Sequence, residues 1–566
     1  MSRPSEERNA LKVESADQIQ WHDERDVVVV GFGGSGVAAA LEARYHRVSV
    51  LALDRFFGGG ATARSGGVVY SGGGTEFQKA EGFDDTPEEM FNYLRQETGD
   101  AVKEETLKRF CDQSATNLRW LQSHNVEFSG QIPPVKTSYP SDKYYLYYSG
   151  NEAVGSYAKH AKPAPRGHRA KGPGLSGASL FAPLKASALA RGVELQVQSD
   201  VRRLVCDESG SVLGVEVRRL MPGTKAARNH KRWSNLATAI HNYSPKLAFK
   251  VRGKVRALEE SAGVVQYIRA RKGVVLTAGG FIFNREMVKQ YGPKYQEGLS
   301  LGTTGCDGSG IQMGMGADAA IDRMDKLSAW RFINPPLAWA QGIVVNDHGE
   351  RYCNEEVYGA KLGYEMVEHH NGRATLILNK DLFKQAFNQV LPGKIWFFQT
   401  APALMSMYLN CKKASSIAEL AKKIKVPEGA LAATIQSYTD AAKGLAEDEL
   451  GKSSGFLAPL DQGPWYAMDI SFNSSVFPCP MITLGGLKVN EETGQVLDQK
   501  GDGISGLYSA GRNAIGVASN LYVSGLSIAD CIFSGRRAGS SVARVGEKLV
   551  NTAEQSASKE AVNEAG

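Results

Sequence analysis

Residues 26–43 read DVVVVGFGGSGVAAALEA, and this stretch decides the fold. Val27–Val30 is an unbroken β-branched run, the pattern of a central parallel strand covered on both faces. It runs into Gly31-x-Gly33-x-x-Gly36 and then an alanine-rich helix pattern. The first glycine permits a tight turn, the second lets backbone approach a pyrophosphate, and the third lets helix and strand pack closely. Gly34 and Ser35 open the helix, where free N–H groups favour an anion. A second strand, RVSVLALD, ends in Asp54, 18 residues after Gly36, where a carboxylate can hold ribose hydroxyls, with Arg55 beside it. Strand, glycines, helix and acid together predict a dinucleotide-binding α/β domain.

Bulk properties narrow the class. The chain has 566 residues, 42% of them hydrophobic, enough for two or more structural units with a sizeable core. Its 62 glycines fall largely in clusters, which signals close backbone-to-ligand approach. A net charge of +6 is too mild over this length for nucleic-acid binding. Seven cysteines (Cys111, Cys206, Cys306, Cys353, Cys411, Cys479, Cys531) stand singly without a CxxC, so reduced thiols in a cytoplasmic setting are expected. Residues 1–25 are polar, without the apolar core of a secretory signal, and read as a tail. Residues 551–566 read as a solvated tail. No apolar run reaches the roughly 18–20 residues of a membrane span. Ten dispersed histidines lack ligand spacing, so no metal is expected.

Two further glycine clusters separate FAD from NAD. Asp54 is followed by RFFGGGATARSGGVVYSGGGT, a second glycine-, serine- and threonine-rich loop that a plain NAD domain does not need. FAD extends across the sheet and needs further backbone donors for its pyrophosphate and ring. The third cluster, GDGISGLYSAGRNAIGVASN, lies near the C-terminus. Together these long-range pieces point to FAD more firmly than the first motif alone.

GGGATARSGG, LTAGGF, RYCNEEVYG, ITLGGLKVN and GLYSAGR occur here in the order found in the fumarate reductase, succinate dehydrogenase and 3-ketosteroid dehydrogenase flavoproteins. Over roughly residues 26–545 the chain resembles that superfamily. The resemblance implies an α/β fold, with a Rossmann-like FAD-binding domain and an inserted α+β capping (substrate) domain. The expected boundaries are 26–283 and 465–550 for the two parts of the FAD domain and 284–464 for the cap. The cofactor residues implied are Gly31, Gly33, Gly34, Ser35, Gly36, Asp54, Arg55, Gly60, Ala61, Thr62, Ser65, Gly66, Gly67, Ala278, Gly279, Gly280, Asp307, Gly511, Arg512, Gly525, Leu526 and Ser527.

Residues 201–217 alternate like a β-hairpin, and GVVLTAGGF reads as the strand that closes the nucleotide domain. Between them, residues 218–258 carry many lysines and arginines and no acids. Two readings stand for this insertion. One is a solvated basic segment. The other is a peripheral membrane or partner patch, since Trp233, Leu236, Ile240, Tyr243, Leu247 and Phe249 interleave with the cations.

The acid/base group separates the subfamilies. Enzymes of this group move a hydride between the flavin and a substrate carbon and a proton at the neighbouring carbon. In fumarate reductases an arginine follows the Asn-Glu pair. Here Asn354-Glu355 is followed by Tyr358, and no cation lies near LYVSGLS before Arg536, so dicarboxylate reduction is disfavoured. In 3-ketosteroid dehydrogenases tyrosines stand there instead. The segment LYVSGLSIADCIFSGRRAG (521–539) resembles the Δ4-(5α) type, and the glycine that the Δ1 type has four residues after its tyrosine is Leu526 here. The tyrosine-rich YYLYYSGNE (144–152) resembles that type's substrate wall.

The resemblance thus implies a 3-oxo-5α-steroid 4-dehydrogenase, with a proton taken from C4 and a hydride passing from C5 to flavin N5. The substrate is a hydrophobic 3-ketosteroid and the electron acceptor is unspecified. The alternatives are a Δ1-dehydrogenase, an enone reductase of steroid or bile-acid-like substrates or a fumarate-reductase-like enzyme, and a non-catalytic flavin protein. Tyr522 is the expected proton acceptor, a role for which its pKa should be lowered, with Tyr358 and Ser524 assisting. Tyr145, Tyr147 and Gly485 are expected to meet substrate. His168 reads as a substrate or flavin contact or as solvated, and Asp530 as a cap or a partner of Arg536 or Arg537.

Overall fold

The computed structural model describes residues 6–546; the C-terminal tail expected at 551–566 lies outside them. The FAD-type half is built from β1 (Asp23–Val30), α1 (Gly34–Tyr45), β2 (Val50–Asp54), β3 (Ser199–Asp207), β4 (Val212–Arg219), α2 (Lys225–Ile240), α3 (Pro245–Ala262), β5 (Val264–Leu276), β6 (Gly503–Ser509) and α4 (Leu526–Ala543). β1 is the valine run, and it pairs in parallel with β2 on one side and β5 on the other. Val27, Val28 and Val29 are fully buried for that reason. Each such side chain contributes about 1.5–3 kcal/mol by leaving water.

One sheet of nine strands among the described residues runs Leu11–Val13, β3, β4, β5, β1, β2 and Glu194–Val197, with β6 also on β5 and Gln495–Leu497 on β6. β5, paired with β1 along one edge, is long enough to serve two partners along the other. Its first half pairs antiparallel with β4, and Val274–Leu276 pairs in parallel with β6. This pairing brings the C-terminal glycine cluster beside the N-terminal one. α4 then packs on α1 at Gly535 and Gly539, where the Ser35 and Ala39 carbonyls occupy the space a β-carbon would need.

Two expectations are corrected, and the basic insertion is given its structure. The N-terminal residues from 6 onward are not a tail. Leu11–Val13 adds a parallel strand to β3, and buried Arg8 donates to the Val201 and Arg202 carbonyls. The basic insertion is a helical hairpin, α2 and α3. Thr224 caps α2 by accepting the Ala227 N–H, and Pro245 starts α3. Its buried residues are Ala227, His230, Ser234 and Ala237 on α2 and Ala248, Val251, Val255 and Glu259 on α3. The aromatic and apolar residues that stand out in the sequence lie elsewhere: Tyr243 is 84% exposed, and Leu236, Leu247 and Phe249 are exposed too.

The second correction concerns the cap. Its sheet contains Ile343–Val345, Thr375–Asn379, Trp465–Asp469 and Cys411–Ala414, all antiparallel neighbours in that order. The boundary expected at 464 falls just before one of these strands. Gly463-Pro464 reads as punctuation, but here it precedes a strand of the same unit. The chain leaves the cap nearer Pro480–Thr483, which pairs with Leu327–Ala329 and Leu299–Ser300. No described helix is long and apolar enough to cross a membrane.

Candidate active site

A cleft opens at the C-terminal ends of β1, β2 and β5, the usual place for a ligand in an open α/β sheet. It is lined by Gly31, Gly33, Gly34, Ser35, Asp54, Arg55, Gly60, Ala61, Thr62, Ala278, Gly279 and Arg512. Gly31 has φ +94°, and a side chain there would strike Thr277. Gly33 differs: the nearest atoms to its missing β-carbon are 3.8 Å away, so its backbone is open to the cleft. Gly36 does not line the cleft; it lets α1 pass the Gly31 carbonyl.

Asp54 does more than wait for a ribose. Its Oδ2 accepts the Phe32 N–H at 3.0 Å, and its Oδ1 accepts those of Phe56 (2.8 Å) and Gly58 (3.1 Å). It thereby ties the two glycine loops together at the cleft. Arg55 is held by Asp307 at 2.6 Å and Glu259 at 2.7 Å, with Asp200 at 3.8 Å. Burial pushes the Glu259 carboxyl up, but Arg55 and His230 outweigh it and hold the group well below its ordinary value.

Other expected cofactor residues stand back from the cleft. Ser65 and Gly67 build a turn, in which the Ser65 hydroxyl donates to the Thr62 carbonyl and accepts the Gly67 N–H. Gly66 is covered by Tyr139, whose hydroxyl donates to its carbonyl at 2.8 Å. Gly280 packs on Thr483, Gly511 on Ser35, and Asp307 is committed to Arg55. Gly525 caps α4 with φ +88°, its missing β-carbon 2.7 Å from the Tyr70 nitrogen; Leu526 is buried and Ser527 half-buried just after it.

At this end of α4 the structure gathers Tyr522, Ser524, Tyr358 and Tyr147. Ser149 pins the turn: its carbonyl accepts the Ser524 N–H at 3.2 Å, and its hydroxyl donates to the Ser524 carbonyl at 3.0 Å. The Ser524 side chain is thereby left beside the Tyr358 and Tyr147 hydroxyls. Tyr147 makes no well-formed hydrogen bond, and its hydroxyl is buried without a partner. Tyr358 precedes the helix Gly359–His369, and its N–H is fixed by the Asn151 Oδ1 at 2.7 Å. Asn151 in turn donates to Glu97 at 2.7 Å.

Burial raises all three phenols, so none is lowered as expected for a base. Tyr358 and Tyr147 go far above the ordinary range. Tyr522 is pushed up only to about 12, because the Arg512 guanidinium and the Gly525 N–H oppose the effect of burial. It is therefore the member of the trio that most readily holds negative charge, at the positive end of a helix. Arg512 also corrects the expectation that no cation lies near this turn. It comes from the preceding cluster, ten residues earlier in sequence, and its Nη1 is buried without a partner.

Tyr145 and Gly485 are not brought to this cluster. Tyr145 lies against the Arg169 guanidinium, 5.0 Å from its ring centre, and Gly485 packs on the Arg323 carbonyl. His168 is neither a ligand contact nor solvated. It is fully buried, Nδ1 donating to the Arg166 carbonyl and Nε2 accepting from Thr75, and burial lowers its pKa to about 4. Asp530 accepts the Val517 N–H at 3.4 Å and forms no ion pair within 4 Å among the described residues. Arg536 pairs with Glu42 instead, and burial raises the Asp530 carboxyl to about 6. Sequence reasoning missed Trp330, stacked 4.6 Å from Tyr522, and Phe332, 5.4 Å from Tyr358. Both lie on a cap segment, SAWRF, that carries no motif of its own.

The residues present fit FAD: an open glycine backbone at Gly33, an unpartnered Nη1 on Arg512 and a cleft that runs from Asp54 to Arg512, the cation that faces Tyr522. The family model described as FAD binding domain matches residues 26–525. The 3-oxo-5-alpha-steroid 4-dehydrogenase of Comamonas testosteroni is 43% identical over 512 residues, covering 88% of this chain and 95% of that protein. The crystal structure of 3-ketosteroid-Δ4-(5α)-dehydrogenase from Rhodococcus jostii RHA1 in complex with 4-androstene-3,17-dione superposes with a TM-score of 0.78 at 30% identity, over 94% of this chain and 99% of that one. A 3-oxosteroid 1-dehydrogenase of Mycolicibacterium smegmatis is 26% identical over 562 residues, 88% of this chain and 93% of that protein. The glycine cradle and a match spanning nearly the whole described chain put it in the FAD binding domain family, as a flavoenzyme whose cofactor is FAD.

Proposed function

We propose that the protein is a 3-oxo-5α-steroid 4-dehydrogenase, which introduces the C4–C5 double bond of a 3-ketosteroid. The observation that carries this reading is the hydroxyl cluster of Tyr522, Ser524 and Tyr358 at the start of α4, beside the FAD cleft. The 43% identity to a Δ4 enzyme, against 26% to a Δ1 enzyme, supports the choice of bond. Bound FAD supplies the acceptor for the C5 hydride.

The chain's own residues handle the proton. The C3 carbonyl acidifies the C4 hydrogens. A phenol hydroxyl donating to that carbonyl raises the acidity further, and this task suits Tyr358, whose proton is held more firmly than that of Tyr522. Tyr522 takes the C4 proton as the enolate forms, since Arg512 and the Gly525 N–H favour its ionised form. Ser524 lies beside the Tyr358 and Tyr147 hydroxyls and can pass a proton between them. Trp330 and Phe332 give a flat apolar substrate its walls and keep bulk water from the enolate.

The test is the position of the new bond. Turnover of a saturated 5α-3-ketosteroid with a dye acceptor, followed by NMR of the product, should give a 4-ene with the C5 hydrogen lost. A 1-ene product would refute the assignment.

A further inference from the structure

The basic hairpin α2–α3 is placed over the nucleotide cleft. His230 on α2 stacks on Phe56 with ring centres 5.8 Å apart, just past Asp54 at the expected ribose end. Its Nε2 donates to Glu259 Oε1 on α3 at 2.9 Å, and its Nδ1 accepts from Gln198 at 3.1 Å. Glu259 then grips Arg55 with both oxygens, at 2.9 and 2.7 Å. These bonds tie the hairpin to the residue that follows the ribose-binding acid.

One α2 face looks into the cleft. Ser234, Asn235 and Thr238 line it together with Asp54 and Arg55. The Thr238 hydroxyl is occupied, donating to the Ser234 carbonyl at 2.8 Å. The Ser234 hydroxyl is not: it is buried and has no partner. A buried hydroxyl left without a partner costs free energy, and the space in front of it is the end of the cleft where a nucleoside would lie.

We infer that the hairpin is a clip over the adenosine half of FAD, with Ser234 bonding to the purine nucleoside and the Arg55–Glu259–His230 cluster holding the clip closed. The ligand chemistry is that of an adenine nucleotide, and the flavin ring lies outside its reach. The clip sets how long the cofactor stays, not the chemistry on the substrate, so its test is independent of the steroid reading.

The experiment measures FAD release from the holoenzyme by the recovery of free-flavin fluorescence, in the wild type and in S234A, E259Q and K250A. Removing one hydrogen bond should speed release about fivefold to tenfold in S234A. E259Q, which loosens the whole cluster, should release faster still. K250A, on the exposed side of α3, should match the wild type. ADP should compete with FAD for the apoprotein, more weakly in S234A. Unchanged release in S234A overturns the clip. So does faster release with an equal fall in the Tm of the FAD-free protein, which would make Ser234 a packing residue only.

Discussion

Tyr522 differs from its neighbours by what opposes its burial. With its pKa at about 12, it is protonated at neutral pH and takes up the C4 proton only once its own has been lost to solvent. Turnover limited by proton abstraction should therefore climb through the alkaline range toward about 12; a plateau already reached below pH 8 would indicate another base. Tyr522→Phe should lower kcat by about 10²–10⁴ while leaving the bound-flavin spectrum unchanged. Near-normal turnover in that variant would contradict the assignment. Asp54→Ala should strip FAD from the purified protein, because three backbone N–H groups lose their acceptor and the two glycine loops come apart. Full FAD content in that variant would show that the loops hold themselves. Tyr522, Ser524 and Tyr358 were legible as a chemical group because each sits next to a glycine- or acid-marked turn. Trp330, Phe332 and the reach of Arg512 were not, since what brings them close is the docking of the cap and the pairing of β6 with β5.

Elements carry a second layer of constraint. α1 and α4 touch backbone to backbone at Gly535 and Gly539, and this contact sets the depth of the Gly31–Gly36 loop below the start of α4. Gly539→Val should destabilise the fold by about 1–3 kcal/mol, read as a lower Tm, and should weaken FAD retention with it. A variant with normal Tm and normal retention would separate the two helices from the cofactor site. The strand–glycine–helix unit and the 199–219 hairpin could be read from the chain, because valine runs and alternation are local signals. The helical hairpin could not. Its buried faces are made of alanine, serine, valine, His230 and Glu259, a weak stripe beside the more conspicuous exposed aromatics and cations. The short strand Leu11–Val13 was hidden in polar surroundings and exists only because β3 offers it an edge.

At the scale of the molecule, a buried ion pair braces the segment that follows the second glycine loop. Arg166 and Asp85 are both fully buried and joined by two hydrogen bonds, 2.6 and 3.1 Å, beneath the strand that leads to Tyr70. Asp85→Ala should cost about 3–5 kcal/mol by leaving the guanidinium uncompensated. Differential scanning calorimetry checks it. His168 and His124 are buried with pKa values near 4. The unfolded imidazoles take up protons below their ordinary 6.5, which the folded ones refuse until about 4. The stability they confer is complete above pH 6.5 and is lost as pH falls toward 4, so Tm should hold steady above that window and drop within it. A flat Tm from pH 7 to 4 would contradict the burial of neutral imidazole. The two-domain plan was legible because the glycine clusters lie far apart in sequence and must meet; the end of the cap was not, because one of its strands follows a Gly-Pro break. The most direct test of the whole account is anaerobic bleaching of the bound flavin by three compounds offered separately. A saturated 5α-3-ketosteroid should bleach it, and a 4-ene-3-ketosteroid and succinate should leave it oxidised. Bleaching by succinate alone would contradict the account.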